Sequence, residues 1–416
     1  MQLRLYLTYL FLAGTLVGLV FSPPVLSIGL IGLAASAVLD PKHGLNPAWR
    51  AGLPAALRDP ANLGLLALYG LLLAGVWQTY DWPYYLERLR IKVPLLVLPL
   101  VWHGLPIRDR LRRPRVVFVL FLSVVLATVL ANYAVNATEI NDLLRRGQAV
   151  PVPRNHIRFS LLVALATLAG LSLVAHTVRR GLWWLLVGAT LFLFVGQHFL
   201  AVRSGLAGAY GGLIVYGIVL AIKTGQYRPV LLGLVLLLLV PVAAYLAVPT
   251  FRTKLQYARY ELLHRDPTKD TGEYSDAGRL TSLRIGLRAW REAPLLGVGP
   301  GNLRSVTDRL YREELGVAKG KRPHNQFVSA LAGSGVVGLL VTLAAFAAII
   351  IGYGRWRDPL YAAAFMVLLL SCLVENTLEN SVGVSLFALV LLWWRPTPFP
   401  SRGRPPSPPA PASTPA

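Results

Sequence analysis

The chain is poor in charged residues and nearly devoid of cysteine. Of its 416 residues, 14% are charged and one is a cysteine, whereas 55% are hydrophobic and the mean hydropathy is +0.55. Soluble globular proteins carry about 25% charged residues. The low charge excludes a typical soluble enzyme and a disordered chain, and the single cysteine excludes a disulfide framework or a cysteine-rich metal site. The composition predicts an integral membrane protein built of many helices.

Acidic residues are scarcer than basic ones. The chain has 41 Lys and Arg against 19 Asp and Glu, a formal net charge of +22. No basic run stands apart from a hydrophobic segment, so the excess is typical of basic loops on the cytoplasmic side of a membrane. We therefore predict membrane lipid and no nucleic acid as a partner.

Apolar runs bounded by charge, proline or glycine predict about twelve transmembrane helices. The first lacks a small-residue cleavage site and is interpreted as an uncleaved span. The fourth is short and contains Pro94 and Pro99, so it needs residues from 86–91 or a kink to cross. The candidate spans are 4–21, 24–39, 62–77, 92–104, 115–133, 159–176, 182–201, 206–222, 229–248, 328–352, 359–376 and 382–395. The predicted fold class is an all-α polytopic membrane protein.

Loop charges predict the orientation. With the N-terminus inside, the inner loops hold 18 Lys and Arg, and the short outer loops hold 8 when Lys92 at the edge of the fourth span is counted. The positive-inside rule then places both termini in the cytoplasm. The predicted divisions are nine spans in 1–248, an outer loop in 249–323, three spans in 324–395, and a disordered cytoplasmic tail in 396–416, which is rich in Pro, Ser and Ala.

The outer loop is long and predicted to be helical. Residues 249–323 hold 15 Lys and Arg and 9 Asp and Glu, and long loops cross a membrane regardless of charge. Leu280, Leu283, Leu287 and Trp290 recur at helical spacing. Such a helix would lie on the membrane surface or cap the bundle.

Two candidate site residues lie where spans meet the outer side. Arg203 occupies a short gap between spans seven and eight, where a guanidinium can bind phosphate bidentately. It can equally be a snorkelling interface arginine. His324 and Asn325 precede span ten, where a helix start favours an anion and a neutral imidazole can accept a proton. The competing interpretation of His324 is a capping or interface residue.

The loop and span eleven add three weaker candidates. Arg279 and Arg291 lie equally near the edges of the apolar stripe, so helical spacing does not choose between them. Glu375 lies at the outer end of span eleven, and ionisable groups near a membrane suggest function. The histidines show no spacing typical of a metal site, so we predict none.

These residues fall in a recognisable pattern. The segments GRLTSLRIGLRAWREAPLLGVGPGN and RPHNQFVSALAGSGVVGLL, together with RSGLAG around Arg203, resemble the bacterial O-antigen ligase and polymerase superfamily. The stretches 89–101 and 156–166 look like Bacteroidota-type members. The resemblance extends from about residue 60 to 395, and its motifs identify the superfamily better than its individual members.

The resemblance implies a twelve-span glycosyltransferase of the GT-C class. It implies an inner-membrane enzyme, with its site facing the periplasm, that transfers a glycan from undecaprenyl pyrophosphate to lipid A-core. Arg203, Arg279 and His324 match the family's essential positions, and Asn325, Arg291 and Glu375 are predicted to bind substrate. The family uses neither metal nor cofactor. In this mechanism His324 takes the acceptor's proton, and the arginines stabilise the leaving pyrophosphate in one inverting step.

The same residues also fit other functions. The same motifs occur in O-antigen polymerases, which use a second lipid-linked repeat as acceptor, and in protein glycosylation enzymes. A lipid-glycan flippase or another transporter is an alternative of a different class, and it would place its polar residues near the bilayer midplane. The burial depth of Arg203 and His324 discriminates transport from surface chemistry.

Overall fold

The chain folds into a bundle of helices with a helical cap. The computed structural model describes residues 2–106, 115–146, 148, 150–153, 155–263 and 276–393. A short antiparallel pair, Leu39–Asp40 with Gly44–Leu45, supplies the sheet structure in this part of the chain. The helices are α1 (Gln2–Phe21), α2 (Pro23–Val38), α3 (Pro47–Arg58), α4 (Pro60–Ala74), α5 (Trp82–Val101), α6 (Arg115–Arg145), α7 (His156–Ala175), α8 (Arg180–Leu200), α9 (Arg203–Thr224), α10 (Tyr227–Ala247), α11 (Pro249–Leu263), α12 (Asp276–Glu292), α13 (Leu303–Leu315), α14 (Gln326–Ile351), α15 (Pro359–Val374) and α16 (Ser381–Trp393).

Each of the twelve predicted spans coincides with one of these helices. Eight described helices are long and apolar enough to cross a membrane, and α2, α15 and α16 are shorter apolar helices. The fourth predicted span is the second half of α5, which begins at Trp82 and therefore includes the charged residues Arg88 and Lys92. The prediction of an all-α, multi-pass membrane protein is confirmed, and the number of crossings stays a prediction.

Polar caps and prolines explain where these helices begin. Asp59 accepts the backbone N–H of Ala61 at 2.9 Å and starts α4, and Asp358 accepts that of Tyr361 at 2.9 Å and starts α15. Such caps satisfy backbone donors that a helix leaves without partners in its first turn. Proline follows each cap, where its missing N–H costs nothing. The sequence therefore divides the apolar stretches into separate helices.

The helices differ in how deeply they are buried. In the most apolar stretch of each helix, 72% of the residues are buried in α7 and 6% in α10. Glycines allow close packing at the centre, because a Cβ at Gly212 would lie 2.7 Å from Val367 of α15. The bundle is thus centred on α7, α9, α15 and α16, with α10 at its periphery.

The predicted loop 249–323 contains three helices, α11, α12 and α13. The prediction of a helix through Leu280 and Leu287 is confirmed by α12, but these two leucines are 39% and 38% exposed. The buried side of α12 instead carries Ile285, Gly286 and Ala289. Small residues let α12 approach α14 closely, which leaves the leucine edge facing outward.

The turn between α12 and α13 inserts into a break in α14. Gly335 interrupts α14 with φ +67°, a backbone conformation that favours glycine. The carbonyl of Pro294 accepts the N–H of Val336 at 2.9 Å, and Val298 donates to the carbonyl of Ala332 at 3.0 Å. The Gly-rich segment 297–302 between α12 and α13 therefore anchors the cap to the bundle.

A second contact fixes the cap to the turn between α4 and α5. The buried Asn302 side chain accepts the N–H of Tyr80 at 2.9 Å and donates to the carbonyl of Gln78 at 2.7 Å. Arg304 pairs with Asp81 at 2.9 Å. We call the end of the bundle that carries the cap the outer end.

The opposite end, which we call the inner end, holds the N-terminus and the 39–46 turn. Arg4 donates to the carbonyls of Ser36 at 2.6 Å and Gly104 at 2.9 Å, and Arg355 pairs with Asp59 at 2.6 Å. Residues 107–114, which belong to a predicted inner loop, and the predicted cytoplasmic tail 396–416 lie outside the described residues.

Candidate active site

The start of α14 holds His324 in a fixed position. Asn325 caps this helix by accepting the N–H groups of Phe327 at 2.8 Å and Val328 at 3.0 Å. The Asn325 side chain also donates to the carbonyl of Leu373 at 2.8 Å. The backbone N–H of His324 donates to Ser282 Oγ at 3.1 Å, which ties it to α12. Three elements therefore determine where the imidazole lies.

Glu375 joins two of the predicted site residues. Its Oε1 lies 2.8 Å from Arg279 Nη2, and its Oε2 lies 2.9 Å from His324 Nδ1. The three side chains are partly accessible, with exposed fractions of 25% for Arg279, 23% for His324 and 13% for Glu375. The structure thus brings a base candidate, a carboxylate and a guanidinium together at the outer end.

This arrangement has a defined chemical capacity. When His324 Nδ1 carries a hydrogen, it donates to the Glu375 carboxylate, and Nε2 is then the nitrogen that can accept a proton. We assign this tautomer from the hydrogen-bond pattern. The anionic carboxylate also stabilises the imidazolium that forms after proton transfer, as in other His–carboxylate pairs.

Arg203 lies in a neighbouring basic group. It is the first residue of α9, it is exposed, and its Nη2 donates to the carbonyl of Lys254 at 3.2 Å. Lys254 donates to the carbonyl of Leu200 at 3.3 Å, which brings α11 against the start of α9. Burial, and secondarily the charge of Arg203, lower the pKa of the Lys254 ammonium. Two cations are therefore held side by side.

His156 connects the two groups, and sequence reasoning missed it. It is the first residue of α7, is partly buried, and lies within electrostatic reach of Lys254, Arg279 and Glu375. Arg203, Lys254 and His156 thus continue the line of polar residues that Arg279, Glu375 and His324 begin. Asn155, which caps α7, marked a helix start but gave no signal that this start faced the others.

Arg291 is not brought to this site. It is exposed in the last turn of α12, twelve residues after Arg279. At 1.5 Å per residue the separation along the helix is about 18 Å. Arg279 is therefore the better placed of the two loop arginines that sequence spacing left equivalent, and Arg291 stays an untested prediction.

No cluster suited to a metal ion occurs among the described residues. Within them, no three His, Cys, Asp or Glu side chains come together. Nitrogen donors and a carboxylate that is already paired with arginine make the polar site a cradle for an anion. The prediction of a metal-independent reaction remains one for experiment.

Comparison with known proteins adds a family match to this geometry. The family described as O-antigen ligase matches residues 188–343, a segment that includes Arg203, Arg279 and His324. Glu375 and His156 lie outside the matched segment. No curated protein matches the chain.

Proposed function

We propose, from the match of residues 188–343 to the O-antigen ligase family, that this chain is a membrane glycosyltransferase acting on lipid-linked glycans. In the proposed reaction a glycan passes from undecaprenyl pyrophosphate to lipid A-core at the periplasmic face of a bacterial inner membrane. The fold would be of the GT-C type. The observation that carries the proposal is Glu375 bridging Arg279 and His324 beside the Arg203–Lys254 pair.

The acceptor side of the reaction is assigned to His324. Its Nε2 takes the proton of an acceptor hydroxyl while the hydroxyl oxygen forms a bond to the anomeric carbon of the donor. Glu375 holds the imidazole and balances the positive charge that it gains. Because the oxygen enters opposite the leaving group, the configuration at the anomeric carbon is inverted.

The donor side is assigned to the cations. As the new bond forms, the bond between the anomeric carbon and the phosphate oxygen breaks, and its electron pair stays on the pyrophosphate. Arg203, Lys254 and Arg279 face this growing negative charge, and fixed cations in a partly desolvated site stabilise it. Hydrolysis of a glycosidic bond would instead need two opposed carboxylates.

The depth of the site favours surface chemistry over transport. Arg203 and His156 are the first residues of α9 and α7, and His324 precedes α14 by one residue. The site therefore lies at helix ends beneath a helical cap. A transporter typically binds its substrate near the midplane between broken helices.

The decisive experiment supplies purified full-length protein with a lipid-linked glycan and one of two acceptors. With lipid A-core, a ligase yields one product per donor chain length. With a second lipid-linked repeat, a polymerase yields a ladder of longer lipid-linked chains. Movement of the intact donor across a vesicle membrane without any new glycosidic bond would refute the proposed enzyme.

A further inference from the structure

A second group of charged residues lies inside the bundle, apart from the site described above. Lys92 of α5 pairs with Glu379 at 2.6 Å, and Arg88 Nη2 pairs with Glu87 at 2.7 Å. The side chains of Arg88, Lys92 and Glu379 are 5%, 13% and 10% exposed. Charges this deep in a membrane protein are costly and are usually kept for function.

Arg88, Lys92 and Glu379 line a cleft between α4, α5 and α14 with a cavity volume of about 50 Å³. Pro300 and Leu303 of the cap also line it, together with Tyr84 and Gln326. This volume accommodates a few water-sized groups, which suits a phosphate or a carboxylate group but not a whole sugar. We call this cleft the buried chamber. It adjoins the proposed active site, since Gln326 is two residues after His324 and Glu379 is four after Glu375.

The chamber has more positive than negative charge. Lys92, Arg322 and Arg88 all act on Glu379 and keep its pKa below the ordinary value, although burial alone would raise it. Glu87 is the second carboxylate and is 41% exposed. The lining thus has two cations, Arg88 and Lys92, and one carboxylate, Glu379, while Arg322 and Glu87 lie outside it. An anionic ligand would relieve this imbalance.

Arg88 also has an unused donor. Among the described residues its buried Nε has no hydrogen-bond partner. Its guanidinium lies 4.9 Å from the centre of the Tyr84 ring, and that of Arg322 lies 6.0 Å from the same ring. The Tyr84 ring is buried beneath these guanidinium groups, and the unused Nε donor of Arg88 suits an anionic group.

We propose that the buried chamber binds an anionic substituent of the acceptor glycan, the phosphate of a sugar phosphate or the carboxylate of a sugar acid. This inference rests on the proposed function, because it places the anionic group of the acceptor in the chamber and the donor pyrophosphate on Arg203, Lys254 and Arg279. His324 lies next to both, as a base between donor and acceptor must. The specificity for the acceptor would then arise from charge as well as sugar shape.

Binding of small probes to the full-length protein in detergent tests the chamber. The probes are glucose 6-phosphate, glucuronate and uncharged glucose, with inorganic pyrophosphate as the donor probe. At least one anionic sugar should bind about tenfold or more tightly than glucose, and Arg88→Gln should remove that preference. Arg322→Gln is the second variant, because Arg322 acts on Glu379 and contacts Tyr84 Oη at 3.5 Å. Arg357→Gln, at the inner end, is the matched control.

The two anionic sugars distinguish a phosphate site from a carboxylate site. Equal binding of glucose and both anionic sugars, or unchanged binding in both arginine variants, would overturn the proposal. So would pyrophosphate binding that depends on Arg88 and Arg322 but not on Arg279. A failed transfer assay with intact, Arg88-dependent sugar binding would count against the proposed function and not against the anion site.

Discussion

The two ends of the bundle both gather arginines, and they use them differently. At the inner end, Arg4 donates to backbone carbonyls and Arg355 pairs with Asp59, a carboxylate that also caps α4. At the outer end, Arg279 shares Glu375 with a histidine. An arginine that donates to backbone carbonyls, or that pairs with a helix-capping carboxylate, stabilises the fold. One that shares a carboxylate with a partly exposed imidazole is positioned for chemistry.

The largest effect is expected in a test of whether the two ends of the bundle face opposite sides of the membrane. We expect an all-or-none difference in labelling by a membrane-impermeant thiol reagent on intact spheroplasts. In a Cys372→Ala background, Ala318→Cys in the cap should react and Gln226→Cys between α9 and α10 should not, since both positions are exposed to water. The reverse pattern would place the cap in the cytoplasm and refute a periplasmic site.

The next largest effect is expected at His324. Losing a positioned general base costs on the order of 10²–10⁴ in rate. His324→Gln keeps a hydrogen-bond donor but is not a base at neutral pH, so it should transfer almost no glycan while still binding the lipid-linked donor. Turnover and donor affinity measured on the same preparation check this. Turnover within a few-fold of the wild type would leave His324 as a binding residue only.

Arginine substitutions test whether kcat/KM depends on the arginines of the proposed site or on the overall positive charge of the cap. Arg203→Ala and Arg279→Ala should each lower kcat/KM by about 10- to 150-fold, the equivalent of one charge-assisted phosphate contact, and lysine should restore part of it. Arg288 pairs with Glu314 on the cap and is 47% exposed, so Arg288→Ala should largely spare activity. An inactive Arg288 variant beside an active Arg279 variant would show that the wrong loop arginine was chosen.

Substitutions at the inner end should lower the stability of the fold without changing catalysis. Arg355 and Asp59 are 6% and 15% exposed, and removing one partner of a buried pair costs about 3 kcal/mol or more. Arg355→Met should therefore lower the free energy of unfolding, measured by thermal melting in detergent. Transfer per folded molecule should stay unchanged. A selective loss of turnover would mean that the inner end takes part in the reaction.

Much of the fold was predictable because hydrophobic runs and caps are local signals. Each predicted span became a helix, and the helix through Leu280 was expected. The fourth predicted span needed residues 86–91 or a kink to cross; α5 does contain 86–91, but its start at Trp82 was not predicted. Helical spacing also could not tell that Ile285 and Ala289, and not the leucines, would be buried against α14.

The sequence could name candidate residues for the site, but it could not predict which of them would be in contact. Motif resemblance singled out Arg203, Arg279 and His324, but Glu375 lies 96 residues from Arg279 in the chain, and only the fold reveals that it bridges to His324. His156 and Lys254 carried no motif at all. Their importance comes from tertiary placement, since α7 and α11 bring them beside residues far away in sequence.

The smallest expected effect is a change with pH in the KM for the lipid-linked donor. Burial, and then Arg203, lower the pKa of Lys254 below the ordinary lysine value of 10.5. As pH rises, Lys254 therefore loses its charge earlier than an exposed lysine does, and the cation group then holds the donor pyrophosphate less tightly. The KM for the lipid-linked donor should rise a few-fold between about pH 7 and pH 10 in the wild type. Lys254→Arg should abolish that rise because arginine stays charged, and Lys254→Met should show the higher KM throughout. A rise that persists unchanged in Lys254→Met would assign the pH dependence to another group and remove Lys254 from the donor site.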